Sequence, residues 1–297
     1  MKKGVVVIGG VNMDIGGSPA EALVMRDSNP GSVTIRPGGV GRNIAHNLRL
    51  LGLEVSFITA LGGDLYAASL RDNCGALGMD MSMSLSLPER RSSVYLYVND
   101  EKGDMQLAIS DMDIVSCITP EFLSRHIEKI NEYEALVMDA NIPFESIEYL
   151  CNNSKIPIYA DPVSTVKSRK LIPYLNKVFA LKPNAIEAET MTGERDPKKA
   201  AQKLNEMGVK RAFVSVGSKG MIASENGNVI HVPPRPVEIV NTTGSGDASA
   251  AAMVWAGVMG LDLKKSAEAA VMAGAITARC VDANNPEINK ICSSDFL

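Results

Sequence analysis

The chain has 297 residues, with 30 Lys and Arg against 34 Asp and Glu and a formal net charge of −4. At 45% hydrophobic and 22% charged it is neither a disordered tail nor a fibre, and its length supports a large buried core. The mild acidity speaks against a binder of nucleic-acid backbones, whereas small phosphates held by backbone amides need no net charge.

Lys3–Gly10 is a β-branched run ending in Gly-Gly and predicts a buried first strand. The segment 16–37 is rich in Gly, Ser and Pro, with one strand expected at Ser32–Arg36. Gly41–Leu51 carries apolar residues at 44, 45, 48 and 51, an amphipathic helix stopped by Gly52. A strand at Val55–Ala60 and a helix at Asp64–Leu77 follow. Ser92–Val98 and Met105–Ser110 flank a turn at 99–103 and read as a β-hairpin. Alternation then returns: helix 121–131, strand Ala135–Asp139, helix 144–153, strand Ile156–Asp161, helix 167–174, strand Lys177–Leu181, helices 185–192 and 197–207, and strand Ala212–Ser215. A hairpin at 221–232, a strand at Val237–Val240 and helices 245–259 and 263–278 complete the series.

Strands alternating with helices specify an α/β fold with a mainly parallel central sheet covered on both faces, a three-layer α/β/α body. The two β-only excursions, about 15–36 and 90–111, fall outside that alternation and suit a small β-sheet lid over the carboxyl ends of the main strands. The whole chain, 1–297, reads as one domain. Five widely spaced cysteines without a CxxC, and three scattered histidines, carry no metal signature and fit reduced thiols in a cytoplasmic protein. The apolar start meets Asn12 and Asp14 without a cleavage site, and the longest uncharged apolar stretch, Ala248–Leu261, is too short to span a bilayer. No membrane and no nucleic-acid partner is expected.

The densest chemical signal is Asn241-Thr-Thr-Gly-Ser-Gly-Asp247, opening a small-residue helix. The backbone amides of Gly244, Ser245 and Gly246 are placed to form an anion hole at a helix N-terminus, with the Asp247 carboxylate beside them. That pairing suits phosphoryl transfer to an alcohol, and equally it is a capped helix start with Thr243 or Ser245 as N-cap. Gly244–Ser249 is also close to a dinucleotide fingerprint, but Asp262 falls at a helix start and not at a strand end. No GxxxxGK[ST] is present. Pro37-Gly-Gly-Val-Gly-Arg-Asn43 opens the first long helix, and Gly39 and Asn43 offer close backbone approach and a polyol partner. Asn12 and Asp14 follow the first strand, where ligand residues gather, although a turn needs the same residue types. Asn184 and Glu187 share one helix face at spacing i, i+3. Glu187 suits Mg²⁺ held through water, whereas a helix cap with a solvated acid accounts for the pair unless the other motifs agree. Ser215-Val-Gly217-Ser-Lys-Gly220 is a turn able to wrap nucleotide phosphates.

Taken together, and in this order, these motifs resemble the ribokinase-like, or PfkB, carbohydrate kinase family across nearly the whole chain. The resemblance implies an ATP- and Mg²⁺-dependent kinase that phosphorylates a hydroxymethyl group. Asp247 would be the catalytic base and Gly244, Ser245 and Gly246 the anion hole. Asn12, Asp14, Gly39, Asn43 and Asn141 would bind the sugar. Asn184, Ser215, Gly217 and Gly220 would serve the nucleotide, and Glu187 the magnesium. Position 241 is Asn where many members have an Asp that helps bind a monovalent cation, which puts K⁺ activation in doubt. The segment 279–285 also departs from the small-residue loop of ribokinase. Three stretches, 12–17, 39–45 and 103–114, resemble the pseudouridine kinase branch, implying the ribose 5′-hydroxyl of pseudouridine as acceptor, with Asp111 and Asp113 as partners for a base or as a simple turn. Ribose, adenosine or a ketohexose are alternative substrates, and a non-catalytic sugar or nucleoside sensor is the alternative of another class. Lids of this family often pair, and an unpaired edge at 90–110 would point to a homodimer.

Overall fold

The computed structural model describes residues 4–293. Lys3, the expected first residue of the opening strand, lies outside them. The fold is α/β, with a nine-stranded sheet ordered 228–232, 221–225, 211–215, 180–181, 158–161, 135–139, 4–8, 54–58 and 79–80. From 211–215 to 79–80 neighbouring strands are parallel, and the 221–232 hairpin adds two antiparallel strands at one edge. Alternation along Gly4–Ile8 divides the core in two. Val5 and Val7 face one apolar cluster, with helices Val40–Leu50, Leu65–Ala76, Ser245–Val258 and Leu263–Ala278. Val6 and Ile8 face the other, with helices Phe144–Asn153, Ala185–Thr192 and Pro197–Glu206. The helix following strand 4–8 therefore covers one face, and the helix following its neighbour Ala135–Asp139 covers the other. The chain reverses between these two strands, and a crevice opens outside their carboxyl ends.

A second sheet of four strands is ordered Gly31–Gly38, Asn12–Pro19, Val94–Asn99 and Met105–Asp111. Its registers run on across all four strands as far as a bulge at Val98/Asn99. Arg36, Asp14, Tyr95 and Ser110 form one cross-strand row, and Thr34, Gly16, Tyr97 and Ala108 the next row on the same face. The opposite face carries Ile35, Ile15, Leu96 and Ile109, then Val33, Gly17, Val98 and Leu107.

Several expected elements differ. Asn12 and Asp14 lie not in a turn but at the start of the strand Asn12–Pro19, because the chain passes straight from the main sheet into the small one. The 121–131 helix is two short pieces, Pro120–Ser124 and Ile127–Ile130. The 167–174 helix is α only over Thr165–Ser168 and continues as a 3₁₀ run to Lys177 containing Pro173, which lacks the amide an α-helix needs. The β-branched run 237–240 is not a strand. It has no strand neighbour to pair with, and Val237 and Ile239 line a cavity instead. Among the described residues no helix is long and apolar enough to cross a membrane.

Candidate active site

The crevice floor is built where glycines let loops meet. Gly39 has φ +101, and a Cβ there would fall 2.7 Å from the Gly10 carbonyl, so only glycine brings the start of helix 40–50 onto the loop after the first strand. That loop is pinned from below: the Gly10 amide donates to the buried Asp139 carboxylate at 2.9 Å, and the Asn141 amide to its other oxygen at 2.9 Å. The Asn141 side chain accepts from Lys167 Nζ at 2.5 Å.

Sugar-type partners gather on one side. Asn12 Nδ2 donates to Asp14 Oδ1 at 2.5 Å, and desolvation raises the Asp14 carboxyl above the ordinary range. Asn43 is buried, and its Nδ2 donates to Asp247 Oδ2 at 2.9 Å. Buried Arg42 donates to Asn43 Oδ1 at 3.0 Å, Asn284 Oδ1 at 2.8 Å and Asn73 Oδ1 at 2.8 Å. Arg42 and Asn43, the last two residues of the 37–43 motif, and the catalytic candidate thus form one network.

Asp247 sits in the first turn of helix Ser245–Val258, whose N-cap is Gly244 rather than Thr243 or Ser245. Gly244 has φ +79, and a Cβ would fall 2.1 Å from the Ala283 carbonyl, which excludes any side chain. The Ser245 amide is engaged by the Thr242 carbonyl at 3.2 Å, and the buried Ser245 Oγ has no partner. The amides of Gly244 and Gly246 make no bond among the described residues. Asp247 itself is half-buried. Desolvation and the nearby Asp161 carboxylate push its pKa up to about 7, with a smaller push from Asp139, against the Asn43 bond and the Lys182 charge.

Behind Asp247 lies a buried ion pair, Lys182 Nζ to Asp161 Oδ2 at 3.4 Å. The Lys182 ammonium also feels Glu187 and Asp247, and these carboxylates outweigh its desolvation and raise its pKa. Asn184 and Glu187 form a reciprocal capping box: Asn184 Oδ1 accepts from the Ile186 and Glu187 amides, and Glu187 Oε2 accepts from the Asn184 amide at 2.8 Å. The pair therefore caps the helix as one reading had it, but Glu187 is buried and not a solvated acid, and the box leaves its Oε1 unused. Burial raises the Glu187 pKa. No group of three or more His, Cys, Asp or Glu able to cage a metal occurs among the described residues.

On the far side of the 241–247 loop is a cavity of about 600 Å³. Asn184, Ser215, Gly217 and Gly220 line it together with Ser245 and Gly246, and Val237, Ile239, Val271 and Ala275 give it an apolar wall. All four residues expected on the nucleotide side thus meet in one place, against the helix N-terminus that carries Asp247. A family model described as "pfkB family carbohydrate kinase" matches residues 2–290. The chain belongs to the PfkB family. It is 36% identical over 292 residues to the pseudouridine kinase of Escherichia coli (strain K12), covering 96% of this chain and 93% of that one. It is 26% identical to the guanosine-inosine kinase of Exiguobacterium acetylicum, covering 91% of each. A carbohydrate kinase from Agrobacterium tumefaciens superposes with a TM-score of 0.84 at 29% identity, covering 99% of this chain and 95% of that one. The chain is accordingly a phosphotransferase of the PfkB carbohydrate kinase family with the ribokinase-like fold.

Of the two readings of Asp111 and Asp113, the structure favours the one without a base contact. Asp111 pairs across the sheet with Val94 and Met13, on the face turned away from Asp14. Asp113 opens a 3₁₀ turn and pairs with Arg90 at 3.3 Å on the surface. Other site residues escaped the sequence reading. Lys182 stands two positions before Asn184, and Asp161 and Asp139 each end a parallel strand. A charge closing an apolar strand was the available signal. Val163, two residues past Asp161, holds φ +66, an outlier for a β-branched residue, with its amide on Asp161 Oδ1 at 2.8 Å.

Proposed function

We propose that this PfkB kinase transfers the γ-phosphoryl group of ATP to the ribose 5′-hydroxyl of pseudouridine. The observation that carries the reading is the position of Asp247. A half-buried carboxylate with a pKa near neutrality stands beside open helix amides, between a polar recess and the 600 Å³ cavity. ATP fits the cavity, with its base against Val237, Ile239 and Ala275 and its phosphates toward Gly217, Gly220 and the amides of Gly244 and Gly246. The sugar fits the recess, bound by Asn12, Asp14, Asn43, Asn141 and the backbone at Gly39. Asp247 orients the hydroxyl and accepts its proton as the new O–P bond forms and the bond to the ADP oxygen breaks. Magnesium would be held through water by Glu187 Oε1 and by the phosphates, and would supply charge balance on the moving group. The free oxygen and the carboxylate chemistry of Glu187 fit that role.

Two observations favour a nucleoside over a bare sugar. The pseudouridine kinase of E. coli is 36% identical along almost the whole chain. On the face of the small sheet that carries Asp14, Tyr95 stands directly beside Asp14, and Tyr97 lies across Gly16 with the two ring centroids 5.9 Å apart. A base attached to the ribose would meet these rings under a closing lid, and stacking is worth roughly 1–3 kcal/mol per base. ADP formation should be measured against pseudouridine, uridine, adenosine, ribose, fructose and no acceptor. Turnover with pseudouridine, and a rise of about tenfold or more in KM for Tyr95→Ala/Tyr97→Ala with that acceptor, is expected. Turnover with ribose alone would discard the nucleoside reading, and ligand-induced stabilisation without product would move the chain to the sensor class.

The opposite face of the small sheet is apolar and exposed, with Ile35, Val33, Leu107 and Ile109 all above two-fifths exposed. The proposed function includes a homodimer that packs two such faces together. Leu107→Lys/Ile109→Lys should sediment as a monomer where the parent chain sediments as a dimer. A parent chain that is monomeric at micromolar concentration would refute it.

A further inference from the structure

Val281, Asp282, Ala283 and Asn284 each hold a different part of the site or of the small sheet, and Asn285 anchors their loop to helix 263–278. The Val281 carbonyl accepts from Asn241 Nδ2 at 2.9 Å. Asp282 pairs with Arg36 of the small sheet at 2.5 Å. The Ala283 backbone lies against Gly244, the N-cap of the Asp247 helix. Asn284 accepts from Arg42 at 2.8 Å and donates to the Asn43 carbonyl at 3.0 Å. Asn285 Nδ2 donates to the Ile276 carbonyl at 2.8 Å. The loop is thus braced against the lid, the sugar-side helix and the anion-binding turn at once.

The link to that turn depends on the side chain at 241 being a neutral amide. Asn241 Oδ1 accepts from the Thr243 amide at 3.0 Å, which shapes the turn entering Gly244. Its Nδ2 donates outward to Val281. Both ends of the amide are used, and each end needs its own polarity. A carboxylate of the same shape would still accept from Thr243, but its second oxygen would face the Val281 carbonyl. Two acceptors at hydrogen-bond distance repel, and a cation between them restores a direct charge-balanced link.

We propose that Asn241 is a positioning residue that joins the 241–247 turn to the 281–285 loop within the chain, in the place where a carboxylate requires a bound monovalent cation. Phosphoryl transfer by this protein is therefore independent of K⁺. Asn241→Asp acquires a cation requirement, and Asn241→Ala loses the link in any salt. The proposal rests on the kinase reading for its activity arm and on folding alone for its second arm.

The test compares KCl with choline chloride at equal ionic strength. Wild type is expected to turn over within about twofold in the two salts. Asn241→Asp should fall about tenfold or more in choline chloride, the scale of one lost charge-dependent link, and recover in KCl. Asn241→Ala should fall by a similar factor in both salts, with no recovery. Thermal unfolding is measured in parallel, without substrate. KCl should raise the Tm of Asn241→Asp above its value in choline chloride and leave the difference near zero for wild type and Asn241→Ala. A wild-type chain strongly activated by K⁺, an Asn241→Asp variant indifferent to K⁺ in both Tm and rate, or an Asn241→Ala variant with wild-type rate would each overturn the proposal. Failure of the kinase reading itself would show as no turnover in any salt, with the Tm arm still deciding the cation question.

Discussion

Asp247→Asn should fold, bind ATP and lose about 10²- to 10⁴-fold in kcat, the range attributable to a positioned general base. The substitution is nearly isosteric, and an amide oxygen at the same place can still accept from Asn43 Nδ2, so the 2.9 Å link across the crevice survives. What disappears is the capacity to take a proton. An alcohol is far less acidic than a carboxylic acid, so the base works late in transfer and largely through orientation, which limits the loss to a finite factor. The pH dependence follows with a definite sign. Desolvation and Asp161 hold the Asp247 pKa near 7, and the proposed base role requires the ionised form. In the free enzyme kcat/KM should rise with pH, with slope one below about 7, and level off above it. Steady-state rates from pH 5.5 to 9, with nucleotide binding measured by calorimetry for the variant, check both statements. A variant turning over at near wild-type rate, or a profile flat through neutrality, would remove Asp247 from this role.

The parts of the site that the sequence made legible are those whose chemistry is local. The 241–247 turn, the glycines before Asn43 and the Asn184–Glu187 spacing all express themselves within seven residues, through φ > 0, a helix start or one helical face. The main sheet was legible for a related reason, since buried parallel strands are continuous apolar runs bounded by turns. The charged pair Lys182–Asp161 was not, because it joins residues 21 positions apart that meet only when their strands lie side by side. The same limit hid the role of the 281–285 loop. Nothing in Val-Asp-Ala-Asn-Asn announces that its neighbours are Arg36, Arg42, Asn43 and Asn241. The run 237–240 misled in the opposite sense. Its β-branched composition is that of a strand, but its neighbour is a cavity, and apolar residues serve a nucleotide base as well as they serve a sheet. Asp111 shows how a one-residue parity decides function: in a pleated strand it points away from Asp14, whereas its neighbour Ser110 shares the row with Asp14 and Tyr95.

Lys182→Met is the change expected to cost most in stability. Lys182 and Asp161 are both more than nine-tenths buried and 3.4 Å apart. Removing one partner of a buried pair strands the other charge in a low-dielectric interior, at a cost of about 3–5 kcal/mol. The consequence reaches catalysis because the same ammonium lowers the Asp247 pKa. Without it, Asp247, Asp161 and Glu187 lose the ammonium they share, and the proton on Asp247 is held more tightly. The rise of kcat/KM with pH should therefore move to higher pH than in wild type, and activity at neutrality should fall further than the loss of folded protein explains. Lys182→Met/Asp161→Asn separates the two effects. It removes the stranded charge together with its partner, so stability should recover by a substantial part of the loss, as coupled neighbours do. The same substitution also takes one carboxylate away from Asp247, so the titration should shift back toward that of wild type. Urea unfolding gives the first quantity and pH–rate profiles the second. A single variant with an unchanged urea midpoint, or a double variant no more stable than Lys182→Met, would show that the pair does not carry the charge balance of the site.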